Sequence, residues 1–434
     1  MNLTQEKVAV QSSSPIVRPL GAFEEFLWLF DGTSSMHFTL TAQVKGHTTV
    51  AEWRRAFDRV QERHPFLSVF IEKNGSDAAN FRQGSAAAIP LRVVQGMDVT
   101  KRWEIEVEQE LEIPFDAGKA PLVRAVLLLE EQQAVLILVS QHSISDGRSL
   151  TLVIRDLLQA LVGKPIDRLP VPPSVEDLLG ITSSDLVPAK ETPAPEPSES
   201  PLVDVEKEAF PRVRSLTLGK ELTGKIRKRA REEGTTVHGA LSAAFALAYW
   251  KIYDPIGKNP VRILSPIDLR KMLSLGDHCA LLITAGLVAI ESDPRTTFWR
   301  IASDSIARLS EARAPEAVTA SKREMHQFVK YGIDDANAQA TLRVKYAHEI
   351  NLTNLGDLAY ETDFGKVKLE AVWGPGVSPR TPGIHSIGVA TSNGSLTLLQ
   401  IAREEPGSLL QIAEQILVSA CATEKDLLLS DLLS

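Results

Sequence analysis

The sequence predicts a chain of the α/β (α+β) class folded as two lobes, each a mixed sheet with helices. Three observations carry this. Helical and strand-like hydrophobic periods alternate in both halves of the chain. A stretch rich in Pro, Ser and Glu, "SSDLVPAKETPAPEPSESPLVDVEKEAF", separates those halves. A length of 434 residues suits two or three domains. The expected division is a first lobe over residues 1–183, a linker over 184–206 and a second lobe over 207–434. In the linker, Pro188, Pro193, Pro195, Pro197 and Pro201 alternate with Ser, Glu and Ala, so it buries too little apolar area to order itself.

In the first lobe, "TTVAEWRRAFDRVQERH" sets Val50, Trp53, Phe57 and Val60 on one helical face, with Thr48 or Thr49 able to cap. "RAVLLLEEQQAVLILVSQH" reads as two strands around a polar turn, Glu130 to Gln133. Leu150, Val153, Ile154, Leu157, Leu158 and Leu161 then form a helical stripe, with Ser149 as its expected cap. In the second lobe, "GTTVHGALSAAFALAYWKIY" is a nearly all-apolar helix and should be buried. "VRILSPIDLR" and "ALLITAGLVAIES" read as strands, and "FWRIASDSIARLSEA" as an amphipathic helix. "HSIGVATSNGSLTLLQIA" is a strand pair around Asn393-Gly394, a strong hairpin signal. A ligand is expected between the lobes, where sites often form.

Composition narrows the function classes. The chain is 44% hydrophobic and 24% charged, which fits a globular protein with sizeable cores. A net charge of -8 argues against a broad nucleic-acid footprint, which needs clustered basic residues. The run "KIRKRAREEG" is basic but closes with two glutamates, and reads as a solvated helix face. Cys279 and Cys421 sit in no CxxC pattern, so they are expected to be small core residues of a reducing compartment. The N-terminus lacks a basic region followed by an apolar core, and no apolar run reaches membrane-spanning length. A cytoplasmic protein without a transmembrane segment is expected.

The stretch that invites chemistry is "LILVSQHSISDGRSLTLVIRDLLQ". It runs from a strand through a tight turn into a helix. His142 stands at the strand end, which holds a side chain rigidly, and the adjoining loop leaves room for a substrate. Asp146 lies in the turn, and Gly147 allows close backbone approach. His and Asp at i, i+4 suit a metal only on a helix, and no second His lies one turn away, so no metal is expected. No GxSxG elbow accompanies the residues. From this stretch alone, ordinary turn chemistry and a hydrogen-bonded core histidine stand open beside a functional reading.

Other segments weigh on that choice. "QHSISDG" resembles the HHxxxDG motif of the condensation-domain and acyltransferase superfamily, which is built like chloramphenicol acetyltransferase. "GAFEEFLWL" resembles that family's opening motif, "RHPFLSVF" its RHxxLRxxF segment, and "PFDAGKAPLVRAVLL" the strand before the active-site strand. "PPSVEDLLG", "EEGTTVHGALSAAFALA", "SPIDLR", "NLTNLGDL" and "FGKVKLEAVWGP" resemble, in order, a branch of stand-alone alcohol acyltransferases related to phthiocerol/phthiodiolone dimycocerosyl transferase. The resemblance spans most of the chain. Three positions depart from it: Gln141 replaces the first motif His, Ser68 replaces the second Arg of RHxxLRxxF, and "DFGKV" matches only half of the DFGWG motif of plant BAHD enzymes.

The resemblance implies two chloramphenicol-acetyltransferase-like lobes, pseudo-dimeric around a central cleft. It implies acyl transfer from a thioester to a hydroxyl, with His142 as general base. A neutral imidazole, with a reference pKa near ~6.5, takes the proton as the bond forms. Asp146 is then expected to turn away and pair with an arginine, either Arg63 or Arg124, with the neighbouring Arg148 as a third candidate. The Gly147 N–H, Thr353 and Asn354 are expected to serve the oxyanion or the substrate. No bound cofactor is implied; the co-substrate is acyl-CoA or an acyl-phosphopantetheinyl carrier protein, and the acceptor a small-molecule or lipid alcohol. A monomer is expected. Two rivals stand beside this reading: an amide-forming stand-alone condensation enzyme, and a catalytically silent module that docks carrier proteins. His64 and His238 are expected to be structural, and the His278–Cys279 pair is only a weak protease signal.

Overall fold

The computed structural model describes residues 14–31, 36–74, 78–84, 87–95, 98–182, 210–255, 257–331, 345–358, 360–379, 383–403, 407–423 and 426–433. The Pro/Ser/Glu-rich linker lies outside the described residues. The class is mixed α and β, in two lobes with helices packed on their sheets.

The first half begins with β1 (Ile16–Pro19), β2 (His37–Lys45), β3 (Val69–Glu72), β4 (Asn80–Gln83), β5 (Leu91–Gln95), β6 (Val123–Leu129) and β7 (Gln133–Gln141). The second half carries β8 (Arg212–Leu218), β9 (Val261–Asp268), β10 (Ile283–Ile290), β11 (Ile350–Asp357), β12 (Lys368–Val377), β13 (His385–Ser392) and β14 (Ser395–Ala402). A small sheet has the order β1-β4-β3. The first-lobe sheet is β12-β2-β7-β6-β5 and the second-lobe sheet β10-β9-β11-β13-β14-β8. One strand therefore crosses over: β12 leaves the second half and pairs antiparallel with β2, from Lys368 opposite Lys45 to Val377 opposite Phe38.

The local rules read in the sequence produce most of these elements. Thr49 caps the helix Val50–Arg63 through a reciprocal box with Glu52, and its Trp53, Ala56, Phe57 and Val60 are buried. The nearly all-apolar helix Val237–Tyr253 is capped by Thr236 and is buried over most of its length. Phe298–Ala312 is helical. The hairpin β13–β14 turns at Asn393 and Gly394, both at positive φ (50° and 81°), the backbone that Asn-Gly is suited to supply. One cap differs from expectation. The helix Gly147–Leu161 is capped by Asp146, and Ser149 is the third residue inside it. The acidic side chain takes the Ser149 N–H, as a capping aspartate does.

The halves are cemented at several places. The helix Val99–Glu110 carries Glu104 and Glu108, which accept the β8 amides of Ser215 and Val213. Trp103 stacks on Trp373 of β12, with centroids 4.9 Å apart. Pro375 of β12 is wedged between lobes: a Cβ on Gly388 of β13 would meet the Pro375 carbonyl at 2.2 Å, and one on Gly147 would meet its ring at 2.3 Å. Among the described residues, no helix is long and apolar enough to cross a membrane.

Candidate active site

β7 is an apolar central strand, buried between β2 and β6. The ladder pairs His37 with Gln141, and the His142 amide continues it by donating to the Met36 carbonyl at 2.7 Å. His142 is thus fixed where the sheet ends. Its ring tilts against Phe38, with centroids 4.6 Å apart. Its Nδ1 lies 2.9 Å from the Ser145 carbonyl. A carbonyl oxygen only accepts, so Nδ1 carries the proton and Nε2 holds the lone pair. Burial lowers the imidazole below its ordinary value, against smaller opposing contributions that include the Asp146 charge. The ring is neutral at pH 7.

Gln141, in the place of the first motif His, is fully buried and does not line the cavity that His142 lines. Its Oε1 accepts the Ser143 N–H at 2.8 Å, so it braces the turn.

Asp146 points away from the imidazole into the protein. Its Oδ1 accepts the Ser149 N–H at 2.8 Å. Its Oδ2 accepts Arg270 Nη1 and the Leu282 N–H, both at 2.9 Å. Burial alone would raise the carboxyl, but the Arg270 charge and these hydrogen bonds outweigh it and hold the group below the ordinary aspartate range. The partner is therefore Arg270 of the second half, and not Arg63, Arg124 or Arg148.

The corrections have a spatial reason. Arg63, at the end of its helix, meets Asp156 at 2.6 Å. Asp156 lies ten residues further along the helix that Asp146 caps, about 15 Å away at ~1.5 Å per residue. Arg124 lies on β6 and turns to Glu110, with Nε 2.6 Å from its carboxylate. Arg148 lines the cavity. Arg270 also donates to Ser149 Oγ at 2.8 Å and to the Asp268 carboxylate at 2.9 Å. It sits in the "SPIDLR" segment, whose resemblance was legible although its arginine's role was not.

The cavity beside His142 has a volume of about 570 Å³ and is walled by both halves. His142, Asp146, Gly147 and Arg148 come from the first; Pro266, Asp268, Asn351, Thr353, Asn354 and Ser386 from the second. Leu27, Met36, Ile283, Leu355, Val377 and Ile384 add apolar surface. The expected placement of a ligand cleft between the lobes matches this cavity. On β11 the alternating residues Asn351, Thr353 and Leu355 line it, while Ile350 and Leu352 enter the core. Asn354 also lines it, beside an irregularity between Asn354 and Asp357. Its Oδ1 accepts the Gly356 N–H at 2.8 Å, so its oxygen is tied to its own turn. The sequence-predicted His142, Asp146, Gly147, Thr353 and Asn354 are thus brought together; Arg63 and Arg124 are not.

The remaining candidates have other occupations. His64 Nε2 meets Asp156 at 2.8 Å, and His238 Nε2 meets Ser265 Oγ at 3.0 Å. Burial pushes the Cys279 thiol up to about 12, so it holds no thiolate for His278 to assist. "DFGKV" forms a turn, with the Gly365 N–H on Asp363 at 3.0 Å. Among the described residues, no three His, Cys, Asp or Glu side chains converge to hold a metal ion.

Residues 26–178 match the family model described as the condensation domain. Residues 207–362 match that of the phthiocerol/phthiodiolone dimycocerosyl transferase C-terminus. The phthiocerol/phthiodiolone dimycocerosyl transferase of Mycobacterium tuberculosis (strain ATCC 25618 / H37Rv) is 25% identical over 323 residues, which cover 68% of this chain and 72% of that protein. Among solved structures, polyketide synthase associated protein 5 from Mycobacterium tuberculosis superposes with a TM-score of 0.68 at 19% identity, covering 96% of this chain and 100% of that one. The first condensation domain of the CDA synthetase superposes at 0.72 with 14% identity, covering 96% and 99%. The chain is thus similar to condensation domains over its first half and to the dimycocerosyl transferase C-terminus over much of its second, and it has the two-lobed fold of the condensation domain.

Proposed function

We propose that the protein is an O-acyltransferase that moves an acyl group from a CoA or carrier-protein thioester to a hydroxyl acceptor, with His142 as general base. The observation that carries this reading is the committed tautomer of His142. Its Nδ1 proton is spent on the Ser145 carbonyl, and the ring lines a cavity large enough for two substrates' reacting ends. A neutral Nε2 takes the hydroxyl proton as the oxygen attacks the thioester carbonyl. The tetrahedral intermediate then collapses, the C–S bond breaks, and the imidazolium returns the proton to the departing thiolate. No covalent enzyme intermediate is required. The Gly147 amide and the Asn354 carboxamide are the candidate donors to the oxyanion. The relative's name, a dimycocerosyl transferase of phthiocerol and phthiodiolone, supports an acyl donor and a lipid-like alcohol acceptor. The apolar portion of the cavity wall suits such substrates.

The test is incubation of the purified protein with acyl-CoA or acyl-carrier protein and either an alcohol or an amine, followed by mass spectrometry. Ester formation that His142→Ala abolishes supports the reading. Amide formation alone would favour the condensation-enzyme alternative, and thioesters left intact with every acceptor would favour a silent docking module.

A further inference from the structure

Lys322 is a buried cation that the acyl-transfer chemistry leaves unused. It lies on the helix Pro315–Tyr331, and only 3% of it is exposed. This helix belongs to the second half but packs on the helix Ala22–Asp31 of the first, with Phe328 edge-on to Phe26 at 6.1 Å. An enclosed ammonium is costly unless its surroundings compensate. Three elements do so. From β10, the Ile283 carbonyl accepts Nζ–H at 2.7 Å. From the helix Ala22–Asp31, the Phe23 ring centroid lies 4.3 Å from Nζ, within cation–π range. Glu24 on that helix, gripped by Arg18 with two bonds of 2.7 Å, and Glu176 on the helix Val175–Leu178 favour the charged form. Burial pulls the ammonium down to about 8 against these carboxyls, so most of it stays charged at pH 7.

The contacts of Lys322 lie next to the machinery around His142. Ile283 opens β10 and lines the cavity beside that histidine. Its neighbour Leu282 donates its N–H to Asp146 Oδ2 at 2.9 Å. The Leu282 carbonyl accepts the Leu269 N–H at 2.8 Å, one residue before Arg270. The start of β10 therefore steadies both members of the Asp146–Arg270 pair. Phe23 stands one helical turn before Leu27, another residue of the cavity wall, on the same helix face. A single ammonium thus joins two elements of that wall, one from each half.

We infer that Lys322 is a positioning residue: it clamps the helix Ala22–Asp31 to the start of β10, and through Leu282 it holds Asp146 and the turn after His142 in place. The kinetic consequence rests on the acyl-transfer reading; the clamp itself does not. A methionine at this position fills the slot with an unbranched chain but offers Ile283 no donor and Phe23 no charge. The start of β10 is then free to shift, and a displacement of ~1 Å at reacting groups costs up to about 10²-fold in rate.

Hydrogen exchange read by mass spectrometry, on the full-length protein and on Lys322→Met at one pH, tests this. Exchange is expected to quicken in peptides containing Leu282 and Ser149, the two backbone amides that Asp146 holds, and to stay unchanged in the β13–β14 hairpin. With decanoyl-CoA and 1-octanol, kcat should fall about tenfold while KM for the alcohol changes little. Unchanged exchange at both amides, or exchange quickened equally throughout the chain, overturns the inference, and so does a normal kcat in the variant. If the wild-type protein transfers no acyl group, the acyl-transfer reading fails by itself, and the exchange pattern still decides the clamp. Should Lys322→Met fail to fold, as seen by circular dichroism, Phe23→Leu removes only the ring beside the ammonium. It should give the same local exchange pattern more weakly, and an unchanged pattern there overturns the inference.

Discussion

Arg270 and Asp146, 124 positions apart in the chain, form a buried ion pair that fastens the turn after His142 to the second half. Arg270 Nη1 lies 2.9 Å from Asp146 Oδ2, and both side chains are almost wholly enclosed. Removing one member strands the other as an uncompensated buried charge. Arg270→Ala is predicted to cost about 3–5 kcal/mol in urea denaturation. Arg63→Ala, whose partner is Asp156, should leave the His142 turn in place. If both substitutions impair turnover per folded molecule equally, the pair has no special hold on that turn.

The same pair sets an acid limit. Asp146 is held below its ordinary value in the folded state. Its contribution to stability is therefore fully present above the unfolded aspartate pKa, about 3.9, and is lost as pH falls through the lower folded value. Asp146→Asn should flatten the acid side of the stability curve between about pH 4 and the folded value. An unchanged acid slope in the variant would contradict this.

His142 should govern the rate's pH dependence with the opposite requirement, since the base must be unprotonated. Burial lowers its imidazole. The acid limb of kcat/KM should therefore fall with an apparent pKa below about 6.5, with a plateau above it. His142→Ala should reduce turnover about 10²–10⁴-fold while the fold persists. A limb centred well above 6.5, or near-normal turnover in the variant, would remove His142 from the mechanism.

Gly147 is constrained by contact and not by backbone angle. An added Cβ would lie 2.3 Å from the Pro375 ring and 3.2 Å from Leu355. Gly147→Ala is predicted to cost about 1–3 kcal/mol, the scale of overpacking. Pro375→Ala in the same chain should recover part of that loss by making room. If the double variant is no more stable than the sum of the singles, the clash is not the cause.

What the sequence revealed and what it withheld divide along the range of the interaction. A cap at Thr48 or Thr49 and a turn at Asn393-Gly394 act within a few residues, so both were readable from spacing, and the structure chooses Thr49 and adds Glu52 as its reciprocal partner. The position of His142 was readable because an apolar strand of nine residues ends beside it, while its expected role came from the resemblance of "QHSISDG" to a family motif. Arg270 was not, since many arginines are nearer in the chain, the three weighed among them, and only the packing of β9's end against the helix start at Gly147 selects the partner. The crossing of β12 was equally hidden. Its segment was read only through the resemblance, and its close approaches are made at small residues: a Cβ on Gly376 would meet Thr39 Oγ1 at 2.6 Å, and one on Gly388 the Pro375 carbonyl at 2.2 Å.

Asn354 presents a sharper test than truncation allows. Its Oδ1 holds the Gly356 N–H, and Gly356 sits at φ +69°, so the side chain helps shape the turn at the end of β11. Its amide nitrogen is the group left to face a developing oxyanion in the cavity. Asn354→Ala removes both roles together. Asn354→Asp keeps an oxygen for Gly356 and replaces the donor with a negative charge. If Asn354 serves the oxyanion, the aspartate variant should fold normally and bind the acceptor normally, yet lose turnover roughly ten- to a thousandfold, the scale of one donor. If it serves only the turn, the aspartate variant should retain turnover while the alanine variant loses stability. Steady-state kinetics and denaturation of the two variants separate these outcomes, because the donor role appears in kcat and the turn role in the unfolding midpoint.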